Sequence, residues 1–252
     1  MSWFGKILGG GIGFAMGGPL GAIIGVGLGH TFMDSGAGGR VASGAARLSS
    51  VETRQAIFFA TTFAMLGKMA KADGRVSDAE IKVVNQFIRT RLSVDERARQ
   101  FAINIFNDAK TNSTPFSAYA QQFGEQFTQE REMRVMLFEL LFELAMADGT
   151  LHPAEEALLE EALGPLGLSR ELYDELRGKK PDVDHLYSLL GVTGDVSDSE
   201  LKRAWRKAVR DFHPDKIVSK GLPDEFTKFA EEKFKEVNDA YDTIMEHRSH
   251  SK

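Results

Sequence analysis

The hydrophobic pattern takes three forms along the chain. Residues 7–29, ILGGGIGFAMGGPLGAIIGVGLG, run for 23 positions without a charge, and ten of these are glycine. From Thr53 to about Arg177, apolar residues recur at helical spacing, in runs such as FFATTFAMLGKMAKA and LFELLFELAMA. From residue 184 onward the pattern is amphipathic. Leu201, Ala204, Ala208 and Phe212 make one stripe; Phe226, Phe229, Ala230, Phe234, Val237, Ala240, Tyr241 and Ile244 make another. No stretch alternates convincingly with the period of a strand, so the expected fold class is all-α.

As a helix the first run would be about 35 Å long at ~1.5 Å per residue, enough for a hydrocarbon core of ~30 Å. Its glycines oppose a helix in water, by roughly 1 kcal/mol each against alanine. In lipid the backbone has nothing else to bond, and the helix wins. Gly5, Gly9, Gly13, Gly17, Gly21, Gly25 and Gly29 recur every four residues, as overlapping GxxxG units that let two backbones approach closely. The expectation is a transmembrane anchor over residues 1–33, self-associating through Gly9, Gly13, Gly17, Gly21, Gly25 and Gly29. A flexible glycine-rich tail is the alternative. A cleaved leader fits less well, since only Lys6 precedes the run and no A-x-A site closes it. Lys6 on one side against Arg40, Arg47 and Arg54 on the other predicts a short outer N-terminus and cytoplasmic bulk.

Small and polar residues over 34–52 read as a juxtamembrane linker. The helical stretch 53–177 follows. Ser77 with Glu80 and Ser93 with Glu96 are expected capping boxes, and Pro153 suits a first helical turn. An internal repeat appears at an offset of 75 residues: KADGRVSDAEIKVV (71–84) matches MADGTLHPAEEALL (146–159). Each copy reads as helix, Ala-Asp-Gly corner, helix, with the glycine permitting a left-handed backbone. Asp73, Glu80, Asp148 and Glu155 are candidate ligands for a shared divalent metal. They lack the alternating carboxylates of a calcium-binding loop. Two structural corners related by pseudo-symmetry is the favoured reading, with no metal or other cofactor.

Charge and composition narrow the chemistry. Over 252 residues the net charge is −5, of the wrong sign for a nucleic-acid coat, and there is no cysteine. Disulfides, thiolate nucleophiles and Cys-ligated zinc are excluded. Residues 184–252 carry 12 Lys/Arg against 14 Asp/Glu, so any basic face there is local.

After a hinge at 178–183 comes HLYSLLGV, a short helix ended by Gly191. Ser197 and Glu200 form a third capping box, opening ELKRAWRKAVRDF. Lys202, Arg203, Arg206, Lys207 and Arg210 flank its apolar stripe. HPDK follows, then a helix from about Leu222 to Glu246, expected to return antiparallel to the first. His213 beside Asp215 invites an acid–base or metal reading. Neither finds the partners it needs, since no nucleophile motif and no ligand-spaced histidines accompany them. Pro214 fixes φ and donates no hydrogen bond, so it holds two polar side chains rigidly at a turn. That is a docking element beside a basic helix, or a stiff solvent turn.

The paired ADG corners resemble the TerB-like (tellurite-resistance-type) helical domain. The pieces LGV, KRAWRK, HPDK and KFKEVNDAY, in order across 184–252, resemble a J domain. That resemblance implies no enzyme of its own but a co-chaperone that docks on a DnaK-type ATPase and stimulates ATP hydrolysis. His213, Pro214 and Asp215 would be the triggering tip, with Lys202, Arg203, Arg206, Lys207 and Lys216 as docking cations. Trp205 stands where tyrosine is usual, Ala208 where leucine is usual, and Asp211 where a base is common. IVSKGLPDEFTKFAEE exceeds the usual loop. The order anchor, TerB-like domain, J domain resembles the DjlA-type membrane-anchored co-chaperones, which implies a place in a bacterial inner membrane and a role in stress response or envelope signalling; the glycine stripe makes a homodimer through the transmembrane helix the expected state. The competing expectation is a metal- or stress-sensing TerB-like module with a passive J domain.

Overall fold

The computed structural model describes residues 17–34, 48–72, 78–92, 94–146, 149–178 and 183–250. The protein is all-α, with no strand among those residues. The first unit comprises α1 (Gly18–Asp34), α2 (Ser50–Met69), α3 (Asp78–Arg91), α4 (Glu96–Thr111), α5 (Phe116–Gln126), α6 (Arg131–Ala145), α7 (Pro153–Leu166) and α8 (Arg170–Gly178). The second comprises α9 (Val183–Leu189), α10 (Asp198–Asp211), α11 (Pro214–Lys220), a 3-10 turn (Asp224–Phe226) and α12 (Thr227–His250).

Helix α2 lies at the centre because it is apolar nearly all round. Residues from Gln55 to Gly67 are all buried, the condition of a core helix rather than a surface one. Ser49 caps it, accepting from Glu52 N–H while the Glu52 carboxylate accepts from Ser49 N–H at 2.8 Å. Around it pack α4, α5, α6 and α7. Phe58, Phe59, Phe63, Phe101, Phe106, Phe123, Phe127 and Phe138 are fully buried. Gly67 is where α2 meets α4: a Cβ there would lie 2.3 Å from the Phe106 carbonyl oxygen. The glycine is a condition of the close approach.

The second ADG corner follows expectation. Gly149 has φ +91°, Pro153 opens α7, and the Glu155 carboxylate accepts from His152 N–H at 3.2 Å. The first corner and Ser77 lie outside the described residues. Helix α4 corrects one expectation. Its cap is Asp95, whose carboxylate accepts from Ala98 N–H at 2.7 Å, not Ser93. Asp95 directly precedes the first helical turn, so its side chain meets the free N–H groups.

Of the N-terminal run, α1 is described, together with Gly17 before it. It carries Gly18, Gly21, Gly25, Gly27 and Gly29 and extends to Asp34. Leu20, Ile23 and Ile24 are buried where α1 rests on α2, α4 and α5, and Leu20 N–H donates to Gln122 Oε1 at 2.9 Å. No helix among the described residues is long and apolar enough to cross a membrane. Gly9 and Gly13 lie outside the described residues.

The HPD turn and the basic helix as candidate docking site

Helix α10 starts at the expected capping box. Ser197 N–H donates to Glu200 Oε2 at 2.9 Å, and Ser197 Oγ accepts from Glu200 N–H. The Glu200 carboxylate accepts from Ser197 N–H and also from Ser197 Oγ, at 2.7 Å, and these two bonds, the backbone one first, pull the Glu200 carboxyl below its usual range. The apolar stripe faces inward: Leu201, Ala208 and Phe212 are buried, with Ala204 packed against them. Lys202, Arg203, Arg206, Lys207 and Arg210 are exposed. A basic face is therefore presented to solvent along one side of a 14-residue helix.

Helices α10 and α12 pack together as expected. Trp205 stacks on Tyr241 with centroids 4.5 Å apart, and its indole N–H donates to Asn238 Oδ1 at 3.2 Å. The bulky ring at a position usually held by tyrosine is thus absorbed by residues of KFKEVNDAY. At the far end, Arg248 donates to Asp198 Oδ1 at 2.7 Å, Val196 O at 2.8 Å and Tyr187 Oη at 2.6 Å, closing α9, α10 and α12 into one unit.

The turn itself differs from a simple hairpin tip. His213 is the N-cap of α11, with φ −61° and ψ 127°, and Pro214 occupies its first helical position. This uses both properties of proline: the missing N–H would be unbonded there anyway, and its fixed φ already suits the helix. His213 Nδ1 accepts from Asp215 N–H at 3.3 Å, which leaves the ring proton on Nε2. The His213 ring meets the edge of Phe234 at 5.5 Å between centroids. Asp215 is free to reach outward, its side chain 94% exposed. The anomalous Asp211 is matched by Lys216, whose ammonium lies 2.6 Å from Asp211 Oδ1. Lys216 is therefore a partner to Asp211 as well as a candidate docking cation.

After α11 the chain turns through Gly221 at φ +113°, and α12 begins at Thr227 rather than near Leu222. The extra length forms α11, the turn and the 3-10 segment, and it meets the first unit. Ile217, Leu222 and Phe226 are wholly buried. Phe226 sits edge-on to Phe58 at 5.1 Å and to Phe59 at 6.2 Å. Arg54 Nε donates to Lys220 O at 2.8 Å, and Gln55 Nε2 to Leu222 O at 3.3 Å. Lys220 pairs with Glu132. Lys233 donates to Glu139 Oε1 at 2.7 Å and to Glu236 Oε2 at 3.0 Å. Burial opposes the Lys233 ammonium, but Glu139 and Glu236 outweigh it and hold its pKa above the usual range. Glu139, Lys233 and Glu236 also line a cleft of about 650 Å³ between the units, with Phe87, Phe142 and Phe229. None of these inter-unit contacts carried a local signal, because each joins residues 88 or more apart.

Among the candidate metal ligands, Asp73 and Asp148 lie outside the described residues, as does the side chain of Glu80. Among described residues no group of three or more His, Asp or Glu side chains could hold a metal ion.

Comparison with known proteins matches this architecture. Residues 60–178 match the family model for the tellurite resistance protein TerB, 185–252 that for the DnaJ domain, and 1–43 that for the co-chaperone DjlA transmembrane domain. The co-chaperone protein DjlA of Shewanella oneidensis is 35% identical, covering 88% of each chain. That of Escherichia coli K12 is 31% identical over 98% of this chain and 99% of its own, and that of Photobacterium profundum 34% over 97% and 99%. No solved structure matches. With a J domain in place and relatives that run its whole length, this chain belongs to the DjlA co-chaperone family.

Proposed function

We propose that the chain docks a DnaK-type chaperone ATPase through the exposed cations of α10 and triggers its ATP hydrolysis through His213, Pro214 and Asp215. The observation that carries this is the turn itself. A proline-started helix holds His213 in a fixed rotamer environment and leaves the Asp215 carboxylate almost fully in solvent, directly after a helix with Lys202, Arg203, Arg206 and Lys207 outward. Such a surface has no acid–base work of its own. It complements an acidic groove, and its charges steer the encounter. Single-turnover ATP hydrolysis by the partner, with and without the chain and its His213→Gln variant, tests the proposal.

The N-terminal segment, in this reading, is a single-pass anchor in a bacterial inner membrane, with its short N-terminus outside, and α1 leaves its seat on α2, α4 and α5 to enter the lipid. Anchoring confines the J domain near the membrane and raises its effective concentration there. Two copies associate through Gly9, Gly13, Gly17, Gly21, Gly25 and Gly29. Replacing Gly17, Gly21 and Gly25 together by leucine is expected to weaken self-association in a membrane reporter; unchanged association would reject the glycine contact.

A further inference from the structure

The helix that begins at the HPD turn is held at its other end by a different domain. Helix α11 has seven residues, too few to persist on its own propensity. Its N-terminus has His213 as cap and Pro214 in the first turn. Its C-terminus ends at Gly221, in a left-handed conformation that a side chain would strain; a Cβ there would also lie 2.4 Å from Arg54 Cβ. The last α11 carbonyl, Lys220 O, accepts from Arg54 Nε, and the Leu222 carbonyl just beyond accepts from Gln55 Nε2. A guanidinium on the last carbonyls of a helix is also favoured by its dipole. Arg54 is itself fixed: its Nη2 pairs with Glu130 at 2.8 Å and its guanidinium lies 4.5 Å from the Phe127 ring centroid. Glu132, 7% exposed, pairs with the Lys220 ammonium from the same side.

From Pro214 to Lys220 a helix rises only about 10 Å. A grip at one end therefore sets the axis and hence the direction in which Pro214 and Asp215 point. The contacts described fall on residues 220–233, while Lys202, Arg203, Arg206 and Lys207 of α10 are exposed, so the basic face stays open while the turn is held. We propose that Arg54 and Gln55 of α2, which runs into the TerB-like domain, and Glu132 of that domain are positioning residues for the HPD turn. The TerB-like domain is then a brace that completes the J domain of this chain, and the segment IVSKGLPDEF is the surface that receives it. This rests on the docking role proposed above, but it concerns the orientation of the turn rather than the identity of the partner.

The test uses the full chain in lipid vesicles, with Arg54→Ala, Arg54→Lys, Gln55→Ala and Glu132→Gln beside His213→Gln. Single-turnover hydrolysis by a DnaK-type chaperone is titrated, and amide hydrogen exchange over 213–222 is read in the same samples. For Arg54→Ala, exchange in α11 should speed about tenfold or more, the scale of a lost charge-assisted hydrogen bond. Maximal stimulation should fall severalfold, with the half-saturating concentration within about twofold of wild type, since the α10 cations are untouched. Arg54→Lys, which keeps the charge and one donor, should recover part of both. A global loss of folding would instead shift both kinetic parameters and exchange throughout the J domain, and Gln55→Ala, the mildest change, guards against that. Unaltered stimulation alongside faster α11 exchange would overturn the brace, as would stimulation above wild type, which marks an inhibitory contact. A wild-type chain that stimulates nothing would reject the docking role instead, while α11 exchange that is unchanged in Arg54→Ala would reject the brace on its own.

Discussion

Glu139→Gln is the sharpest probe of the seam between the two units. Lys233 has a side chain 6% exposed and Glu139 one 9% exposed, at 2.7 Å; Glu236 is the second acid, at 3.0 Å and 47% exposed. Removing one member of a buried pair costs about 3–5 kcal/mol, because the other charge stays buried without compensation. Here the half-exposed Glu236 remains and the glutamine oxygen still accepts a hydrogen bond, which places the cost near the lower end, about 3 kcal/mol. For a unit of this size that corresponds to roughly 6–12 °C in melting temperature. Exchanging both partners, Glu139→Leu with Lys233→Met, removes both desolvation penalties and should return stability to within about 1 kcal/mol of wild type. The assay is thermal unfolding of wild type, both singles and the double, followed by circular dichroism. A Glu139→Gln chain that melts within a degree or two of wild type would refute the reasoning. So would a double variant no better than the singles.

Further expectations follow from other contacts. The Lys233 pKa is raised when folded, so its contribution is complete below the unfolded value and is lost as pH rises through the folded one. Tyr173 acts in the same direction: burial first, then Glu156, pushes its phenol up to about 12, against ~10 unfolded. Stability should therefore fall with rising pH above about 10, more gently in Tyr173→Phe; a flat melting temperature across that window contradicts this. Gly67→Ala should destabilise by about 1–3 kcal/mol or more by forcing α2 off α4 at Phe106 O, read by denaturant unfolding. Asp211→Asn should release Lys216, tightening partner binding and steepening its salt dependence in a titration at two ionic strengths; no change in either would leave Asp211 without a role in the docking surface.

Much of the architecture was legible because it is local. The stripe Leu201, Ala208, Phe212 and the box Ser197–Glu200 are properties of a single helix, and the structure places them as their spacing requires. The corner at Gly149 needed only a glycine between two helical runs. Local reasoning erred where two local choices competed. The spacing puts the cap at Ser93, but Asp95, the residue directly before the helix, takes it. It also merged α11 into a loop, because seven residues show too little periodicity, and the helix depends on both its ends being held. The seam was not legible. Lys233 sits in the charged run EEKFKE, which reads as solvated, and its burial depends on the distant Glu139 together with Glu236. In the sequence Arg54 reads as a membrane-flanking positive charge, and its bond to Lys220 O spans 166 residues.

On the docking proposal, the HPD turn of this chain acts on another protein's ATPase. The most direct measurement is single-turnover ATP hydrolysis by a DnaK-type chaperone, titrated with the full chain in vesicles, wild type against His213→Gln. His213 is about half exposed on its side chain and its ring only edges Phe234, so the substitution should leave the fold intact, which the melting temperature checks in the same preparation. On this proposal the rate rises with wild-type chain and saturates, with no rise for the equally folded variant. Equal stimulation by both, or none by the wild type, would contradict it.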